Sequence, residues 1–401
     1  MFEVRPTADQ DEYGRAIGAI GQYFNPPPGE EFFERWVRTL PHERMHAAFQ
    51  DGQIVGGAGA FPFELSVPGG SLPCAGVTAV GTQPTHRRRG ALRSLMDTQL
   101  RDVHERGEPI AALWASEETI YGRFGYGIAS WAGSLTVQHD WDAFAGPLEP
   151  VGTTRFTTPE EARKLFPPVY AAVRRERPGM MSRNDVWWEE RHLRLEEDEK
   201  DAPRRFVVLE ADGEPKAYAI YRTRFSFEEG LPASRLIVRE ALGATPAATA
   251  AIWRFLLDVD WMSLVEVSLA PPDHPLFLLL ALPRRARYRM GDALWVRVVD
   301  LPAALSGRAY GEGGPLVLEV HDAICDWNEG RWRLEEGLCE RTDAEPDLAL
   351  DVSVLGSAYL GSVSFTQLRD AGRVQELRDG AIRQADGLFR WQPLPWCPEI
   401  F

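Results

Sequence analysis

Hydrophobic residues recur at helical spacing in two stretches near the start of the chain. Tyr13 and Ile17 share the apolar face of a helix predicted over 11–24. A loop rich in proline and glycine at 25–29 separates this helix from a second amphipathic helix that ends near Leu40. Runs of apolar and β-branched residues then predict three strands, at 45–49, 54–63 and 76–82.

A further helix and strand follow around an arginine-rich turn. The segment Pro84-Thr-His-Arg-Arg-Arg-Gly90 joins the strand at 76–82 to an amphipathic helix whose stripe includes Leu95 and whose end is marked by Gly107. The next predicted elements are an apolar strand at 109–114, a short helix at 116–121 and a glycine-punctuated segment at 122–127.

The same order of elements is repeated more faintly over residues 147–300. A helix is predicted at 160–177, and Thr245-Pro246 supplies an N-cap and a first-turn proline for an apolar helix. Strands are predicted at 206–210, 217–222, 235–242, 265–269 and 293–299. Because no arginine-rich turn precedes the second helix, we interpret this block as a possible internal duplication. This second copy would lack a counterpart of the arginine-rich turn, which is interpreted below as a phosphate-binding segment.

The remaining residues form a third block over 301–401. Its predicted helices lie at 302–310, 353–377 and 381–389, and its predicted strands at 316–320, 330–335 and 348–354. The last eleven residues contain two tryptophans, three prolines and the terminal Phe401. A tail of this composition is poorly suited to water, so we expect it to be docked rather than frayed.

Composition narrows the class of protein. A chain of 401 residues accommodates two or three domains, and 44 basic against 59 acidic residues give a net charge of −15. This charge disfavours nucleic acids and anionic membranes as partners and favours cationic ones. The four cysteines lack disulfide or metal spacing, so we expect no metal and a reducing compartment. With no leader or membrane-spanning apolar run, the prediction is a cytoplasmic protein.

The turn at 84–90 has the chemistry of a phosphate cradle. The first backbone N–H groups of a helix are unpaired, and the helix dipole favours an anion beside them. Gly90 permits close approach of the backbone, and the neighbouring arginines add charge-assisted hydrogen bonds. The segment contains neither a Walker A loop nor a dinucleotide fingerprint. An arginine-rich string alone is more often a solvated charge cluster, and that alternative stays open here.

Combined with the segment SEETIYGRFGYG at 116–127, the turn resembles the acetyl-CoA site of GNAT acetyltransferases, and more narrowly the Eis (enhanced intracellular survival) family. The resemblance implies a mixed α/β protein with a catalytic GNAT domain at 1–146. A degenerate GNAT-like domain at 147–300 and a sterol-carrier-protein-like α+β domain at 301–401 would follow. It also implies a homohexameric enzyme that transfers acetyl from acetyl-CoA to a primary amine. The acceptor would be a cationic small molecule, such as an aminoglycoside or a polyamine, or a lysine side chain.

The resemblance also assigns site residues. The implied cofactor-binding residues are Val80, Thr82, Arg87, Arg88, Gly90, Ala91, Ser116 and Arg123. Tyr121 is the implied proton donor to the departing thiolate; Tyr126 is the alternative donor, and Tyr121 could instead be an ordinary packed aromatic residue. A main-chain N–H near Val80 could polarise the thioester carbonyl.

Amine acetylation also needs a base, because an alkylammonium with a pKa near 10.4 is not a nucleophile at neutral pH. The resemblance implies that the α-carboxylate of Phe401 fills this role. A terminal carboxylate with a pKa of about 3.5 is anionic at neutral pH and can accept the proton through water. The simpler alternative is that Trp396 and Phe401 only fill a domain interface.

Phe24, Trp36 and Glu399 are the implied residues of the acceptor pocket, although aromatic residues are more often core. The sequence departs from the family pattern at three positions. Pro26 stands where the family has a carboxylate, Ala79 where it has an aromatic residue, and Ile400 where it has glutamate. The predicted acceptor pocket therefore has fewer acidic groups than the family pattern, which makes it less suited to aminoglycosides. The pairs Met180-Met181 and Trp187-Trp188 either close the pocket or belong to the core.

Rival functions follow from the same residues. The third block could carry a lipid or sterol while the first block binds coenzyme A without catalysis. The enzyme could instead use a longer acyl-CoA. Nucleic-acid binding through Arg87 to Arg89 is a third possibility, which the acidic composition disfavours.

Overall fold

A computed structural model describes residues 2–21, 30–195 and 202–401. The chain divides into two compact units. Unit 1 comprises Met1–Ser130, Ala293–Pro395 and Glu399–Phe401, and unit 2 comprises Trp131–Asp292 and Trp396–Pro398. Within the described ranges, no helix is both long and apolar enough to span a membrane.

The described residues up to 130 supply six strands and four helices to unit 1. The strands are β1 Glu3–Pro6, β2 Met45–Gln50, β3 Gln53–Val67, β4 Gly70–Thr82, β5 Ile110–Trp114 and β6 Gly127–Ile128. The helices are α1 Gln10–Gly21, α2 Glu30–Thr39, α3 Ala91–Glu105 and α4 Glu118–Tyr121. The predicted strands at 45–49 and 109–114 match these bounds closely, whereas β1 was not predicted. The strands predicted at 54–63 and 76–82 are longer than expected, because β3 and β4 continue to the tight turn between Val67 and Gly70.

Residues 131–292 form the elements of unit 2. The strands are β7 Trp131–Gln138, β8 Thr153–Thr157, β9 Arg205–Ala211, β10 Glu214–Arg224, β11 Phe227–Glu228, β12 Leu231–Pro232, β13 Ser234–Gly243, β14 Met262–Ala270 and β15 Arg287–Asp292. The helices are α5 Pro159–Glu176, α6 Asp185–Trp187, which continues as a π-helix over Trp188–Leu193, α7 Pro246–Leu257 and α8 Leu276–Leu279.

Residues 293–401 return the chain to unit 1. The strands are β16 Leu294–Val298, β17 Leu316–His321, β18 Gly330–Glu335, β19 Leu338–Arg341, β20 Leu348–Asp351 and β21 Val374–Glu376. The helices are α9 Leu301–Ser306, α10 Val352–Ala358, α11 Phe365–Asp370 and α12 Ala381–Phe389.

The single helix predicted over 353–377 is wrong. The chain there forms α10, α11 and β21, because Gly361 and Gly372 adopt positive φ angles of 90° and 71° and interrupt the helical path. Ser364 starts α11 with a capping box that includes Gln367. The strand predicted at 348–354 also ends early, since the Asp351 side chain accepts a hydrogen bond from the backbone N–H of Ser353 and caps α10.

The two large sheets have similar strand orders, and each includes one strand that lies, in the sequence, beside the strands of the other. The first sheet has the order β1-β2-β3-β4-β5-β16-β6, and the second has β8-β9-β10-β13-β14-β7-β15. In each sheet a parallel pair is connected through a helix, β4-α3-β5 or β13-α7-β14. Next to that pair, β16 joins β5 in the first sheet, and β7 joins β14 in the second sheet. The strand predicted at 293–299 thus completes the first sheet, although its place in the sequence suggested the second.

The third block has its own sheet, in the order β19-β18-β17-β20-β21. Within unit 1, residues of this block share a hydrophobic cluster with the first sheet and α3. The cluster includes Cys325 of the third block, Trp295 of β16, and Met96 and Leu100 of α3. Tyr121, the implied proton donor, belongs to the same cluster.

Candidate active site

The central feature of unit 1 is an opening between two parallel strands. The strands β4 and β5 pair only over Cys74, Ala75 and Gly76, opposite 110–112. Both strands continue, to Thr82 and to Trp114, without further pairing to each other. Their backbone N–H and C=O groups beyond Gly76 are therefore available on this side to a bound molecule.

A bulge in β4 interrupts its pairing with β3. Pairing between β3 and β4 joins Gly57 to Gly81 and Gly59 to Thr78, so the register skips Ala79 and Val80. Ala79 has a positive φ of 50°, which is unusual for a residue with a side chain. Ala79 and Val80 thus lie in the bulge, opposite Ala58 of β3.

The arginine-rich loop ends in an open helix N-terminus. Gly90 is the N-cap of α3 with a positive φ of 98°, and no side chain caps the helix. The first turn of α3 holds no acidic residue, and the Arg87 and Arg88 side chains are exposed. The loop therefore offers backbone donors, the positive end of a dipole and guanidinium groups to an anion.

The equivalent helix of unit 2, α7, has a capped N-terminus. Thr245 caps α7, since its side chain accepts a hydrogen bond from the backbone N–H of Ala248, and Pro246 occupies the first turn. One donor is satisfied and another is absent, so α7 presents fewer free N–H groups than α3. The sequence interpretation that the second copy lacks the phosphate-binding piece agrees with this geometry.

Tyr121 ends α4 beside the opening. Its side chain is buried among Val77, Leu113 and Tyr126 in the shared core cluster. Burial, with a smaller effect of Glu117, raises the pKa of the Tyr121 hydroxyl to about 12. The hydroxyl therefore keeps its proton throughout the physiological pH range, as a proton donor must.

Tyr126 is more deeply placed than Tyr121. It is fully buried, and burial raises the pKa of its hydroxyl further. This hydroxyl makes no hydrogen bond to any part of the chain that the structure describes. The two rings meet edge to face with 5.9 Å between their centroids, so Tyr126 packs behind Tyr121.

Phe401, the last residue of the chain, packs on β3 and β4. Its ring lies 5.2 Å from that of Phe63 and 6.4 Å from that of Phe61, measured between centroids. Trp36 of α2 extends this aromatic group, at 5.8 Å from Phe61. The expectation of a docked tail is met here.

The candidate acid and base lie against opposite faces of the first sheet. Tyr121 belongs to the cluster that contains Ala75 and Val77, whereas Phe401 lies next to Gly76, and successive strand residues point to opposite faces. The opening between β4 and β5 lies between these two faces.

Comparison with known proteins shows what this arrangement is. Residues 3–129 and 179–298 each match a family described as an acetyltransferase (GNAT) domain, and residues 301–398 match the sterol carrier protein domain. N-acetyltransferase Eis of Mycobacterium tuberculosis is 36% identical over 384 residues, which cover 90% of each chain. The chain belongs to the Eis family of N-acetyltransferases.

Two further matches cover nearly all of the chain. An uncharacterized N-acetyltransferase of Streptomyces avermitilis is 40% identical, with 96% of this chain and 95% of that one covered. The crystal structure of Eis1 from Mycobacterium abscessus superposes with a TM-score of 0.87 at 31% identity, over 100% of both chains. The predicted fold, two GNAT domains and a sterol-carrier-like domain, is confirmed, and so is the acyltransferase class. A GNAT fold implies an acyl-CoA donor.

The predicted cofactor residues of this Eis-family protein follow the opening and the loop in order. Val80 and Thr82 end β4, Arg87, Arg88 and Gly90 form the loop, Ala91 begins α3, and Ser116 and Arg123 lie on either side of α4. Ser116 and Arg123 are exposed, and the Arg123 Nε donates to the carbonyl of Ile120.

The predicted acceptor residues are only partly placed. Trp36 is half-buried beside Phe61, and Glu399 is buried next to the exposed Ile400. Phe24 and Pro26 lie outside the described residues. The pairs Met180-Met181 and Trp187-Trp188 are buried within unit 2, where Met180 and Trp188 belong to its core, as the core alternative requires.

Several site residues were not found from the sequence. Phe61 and Phe63 form the wall on which Phe401 packs, and Gly76 provides the space for it. Trp114 ends β5 on the Gly76 face, half-buried, and its indole N–H makes no hydrogen bond to the described chain. The alternation Phe61-Pro62-Phe63 was the one available signal, because it places two rings on one face of a strand.

Proposed function

We propose that this protein is an acetyl-CoA-dependent N-acetyltransferase that acts on primary amines of cationic molecules. The observation that carries the proposal is the position of the chain terminus. Phe401 packs beside Gly76, where the pairing of β4 and β5 ends, while Tyr121 packs on the other face of the same strands.

The donor is assigned to the opening and the arginine-rich loop. The N-terminus of α3, Gly90 and the arginines at 87 and 88 would bind the diphosphate of coenzyme A. The backbone groups of Ala79 and Val80, in the part of β4 that does not pair with β5, would hold the pantetheine and polarise the thioester carbonyl. Acetyl is the proposed acyl group.

The reaction then balances with the two assigned groups. The carboxylate of Phe401 accepts a proton from the ammonium through water, and the neutral amine attacks the thioester carbonyl. The N–C bond forms and the C–S bond breaks, the attacking nitrogen releases its second proton to water, and the Tyr121 hydroxyl protonates the departing thiolate. Tyr121 recovers a proton from solvent and Phe401 returns one to it, so each turnover releases one amide, one coenzyme A and one proton.

The acceptor class follows from charge and aromatic surface. Trp36 and Phe401 are half-buried and pack against the buried Phe61 and Phe63, and the exposed parts of the first two rings would attract a cation through their π faces. The terminal carboxylate and the overall charge of −15 favour the same sign of acceptor. Polyamines, aminoglycosides and lysyl peptides are the classes we propose to test.

Thiol release measured with acetyl-CoA and a panel of these amines tests the proposal. We expect turnover with at least one class, and a loss of kcat of about 100-fold or more when Phe401 is deleted. The Phe401→Leu variant, which keeps a terminal carboxylate, is the control and should lose much less. Full turnover by the deleted form would refute the terminal base, and no turnover with any amine would favour a carrier.

Assembly remains a prediction. The homohexamer implied by the family is tested by light scattering of the purified protein, where a monomeric mass would contradict it.

A further inference from the structure

The turn that begins at Tyr121, the candidate acid, packs against the third block. Tyr121 and Tyr126 flank the turn, and the backbone N–H of Tyr126 donates to the carbonyl of Tyr121 at 3.3 Å. Gly125, with a positive φ of 81°, lies at its centre. A Cβ atom there would lie 2.6 Å from the Nε of Arg297 and 2.8 Å from the Cγ1 of Val352. The turn therefore contacts these two side chains with its bare backbone.

Arg297 is held in place by a buried ion pair. It projects from β16, its side chain is 0% exposed, and that of its partner Asp322 is 1% exposed. The Nη2 group donates to both carboxylate oxygens of Asp322 at 2.7 Å, and Nη1 donates to the carbonyl of Val298. The guanidinium group is held in place by these charge-assisted contacts.

The third block in turn fixes Asp322. The backbone N–H groups of Ile324 and Cys325 donate to its Oδ1, and the side-chain amide of Asn328 donates to Oδ2 at 3.0 Å. Cys325 itself packs in the same hydrophobic cluster as Tyr121. Asp322 therefore transmits the position of the third block to the guanidinium under the turn.

A second contact fixes the other end of the turn. A Cβ atom on Gly127 would lie 2.0 Å from the carbonyl oxygen of Ser353, and one on Gly356 would lie 2.2 Å from the carbonyl oxygen of Val296. Helix α10 thus packs against the backbone of β6 and β16 without intervening side chains. The turn is confined from both sides by the same block.

We infer that Arg297 and Asp322 are positioning residues for Tyr121, and that the sterol-carrier-like block serves catalysis by supporting the turn that holds the acid. This inference rests on the proposed function. It assigns the block a task in the transfer step itself, beyond delivery of the chain terminus.

The test compares two buried ion pairs of unit 1. Asp322→Asn keeps the shape of the side chain and removes its charge. Glu108→Gln does the same to the pair Arg44–Glu108, which is also buried and bidentate but does not contact the turn. We expect Asp322→Asn to lower kcat about tenfold or more while the Kd for acetyl-CoA changes less than twofold. Glu108→Gln should lower the melting temperature without a comparable effect on kcat.

Each substitution is then repeated in a Tyr121→Phe background, because a positioning residue acts only through the group it positions. Asp322→Asn should lower the residual rate of Tyr121→Phe by less than twofold. A full tenfold loss in that background would overturn the inference. If Tyr121→Phe alone has the wild-type rate, the proposed acid fails instead, so the two failures are distinguishable.

Should Asp322→Asn not fold, Gly125→Ala addresses the same contact from the other side, because the new methyl group would push the turn off Arg297. Gly380→Ala is its control, since Gly380 has a φ of 83° and no atom within 4 Å of a new Cβ. We expect a fall in kcat only for Gly125→Ala. Equal kcat for the two variants would contradict the inference.

Discussion

The ring of Phe401 meets the ring of Phe63 edge to face, with 5.2 Å between centroids and 64° between planes. Both rings occupy the space above Gly76, where a Cβ atom would lie 2.4 Å from the Cδ2 of Phe63 and 3.3 Å from the Cε2 of Phe401. The ring of Phe401 therefore fits against β4 because Gly76 has no side chain.

Gly76→Ala should therefore displace the chain terminus. A Cβ at 2.4 Å from Phe63 forces that ring, and with it Phe401, to move. We expect kcat to fall about tenfold or more with little change in the Kd for acetyl-CoA. Gly70→Ala on the same strand is the control, because no atom lies within 4 Å of its new Cβ. Equal kcat values for the two variants would show that the seat of Phe401 is unimportant.

A chain extended by one glycine after Phe401 separates the ring from the carboxylate. The aromatic contact can persist, but the carboxylate moves by about 3.8 Å, one Cα spacing. We expect kcat to fall about 100-fold or more, because general bases act only within hydrogen-bonding reach or through one water. Rates are measured by thiol release at saturating acetyl-CoA. Wild-type kcat in the extended chain would show that the ring, and not the carboxylate, matters.

Gly90→Ala tests the diphosphate site. The left-handed φ of 98° makes a side chain there unfavourable by roughly 1–2 kcal/mol, and straightening the cap would move the backbone donors of α3. Gly107→Ala follows the other end of the same helix, with a φ of 72° and similarly open surroundings. Both variants should unfold more easily in denaturant. Only Gly90→Ala should raise the KM for acetyl-CoA, by about tenfold, and a comparable rise in Gly107→Ala would refute the site.

Tyr121→Phe and Tyr126→Phe distinguish the two candidate acids. We expect Tyr121→Phe to lower kcat by about 100-fold. Tyr126→Phe should change it little, because the lost hydroxyl has no hydrogen-bond partner in the described chain. Steady-state kinetics at one pH suffice for this comparison, and the reverse order of effects would move the role to Tyr126.

The pH dependence supplies a separate test of Tyr121. Its pKa is raised to about 12, so the hydroxyl is protonated at pH 10, where an ordinary tyrosine is half ionised. Wild-type kcat should therefore not fall between pH 8 and about 11 through loss of this proton. A decline with an apparent pKa near 10, present in the wild type and absent in Tyr121→Phe, would contradict the raised value.

The local features of the site were predictable because they depend on neighbouring residues. The open N-terminus of α3 follows from Gly90 and the absence of a capping side chain, and the closed one of α7 follows from Thr245 and Pro246. Tyr121 was found through its motif. Where several glycines interrupt an apolar pattern, as after Ala358, periodicity alone did not locate the helix ends.

The sequence by itself determined the family and the strand-turn-helix core, and it led to the proposed proton donor, since each depends on residues close together along the chain. Only the tertiary structure decided that β16 completes the first sheet, that Phe401 packs above Gly76, and that Arg297 lies under the Gly125 turn. Strand exchange and side-chain packing join residues far apart in the chain. Such contacts are chosen by shape and burial, which a local pattern of polar and apolar positions does not specify.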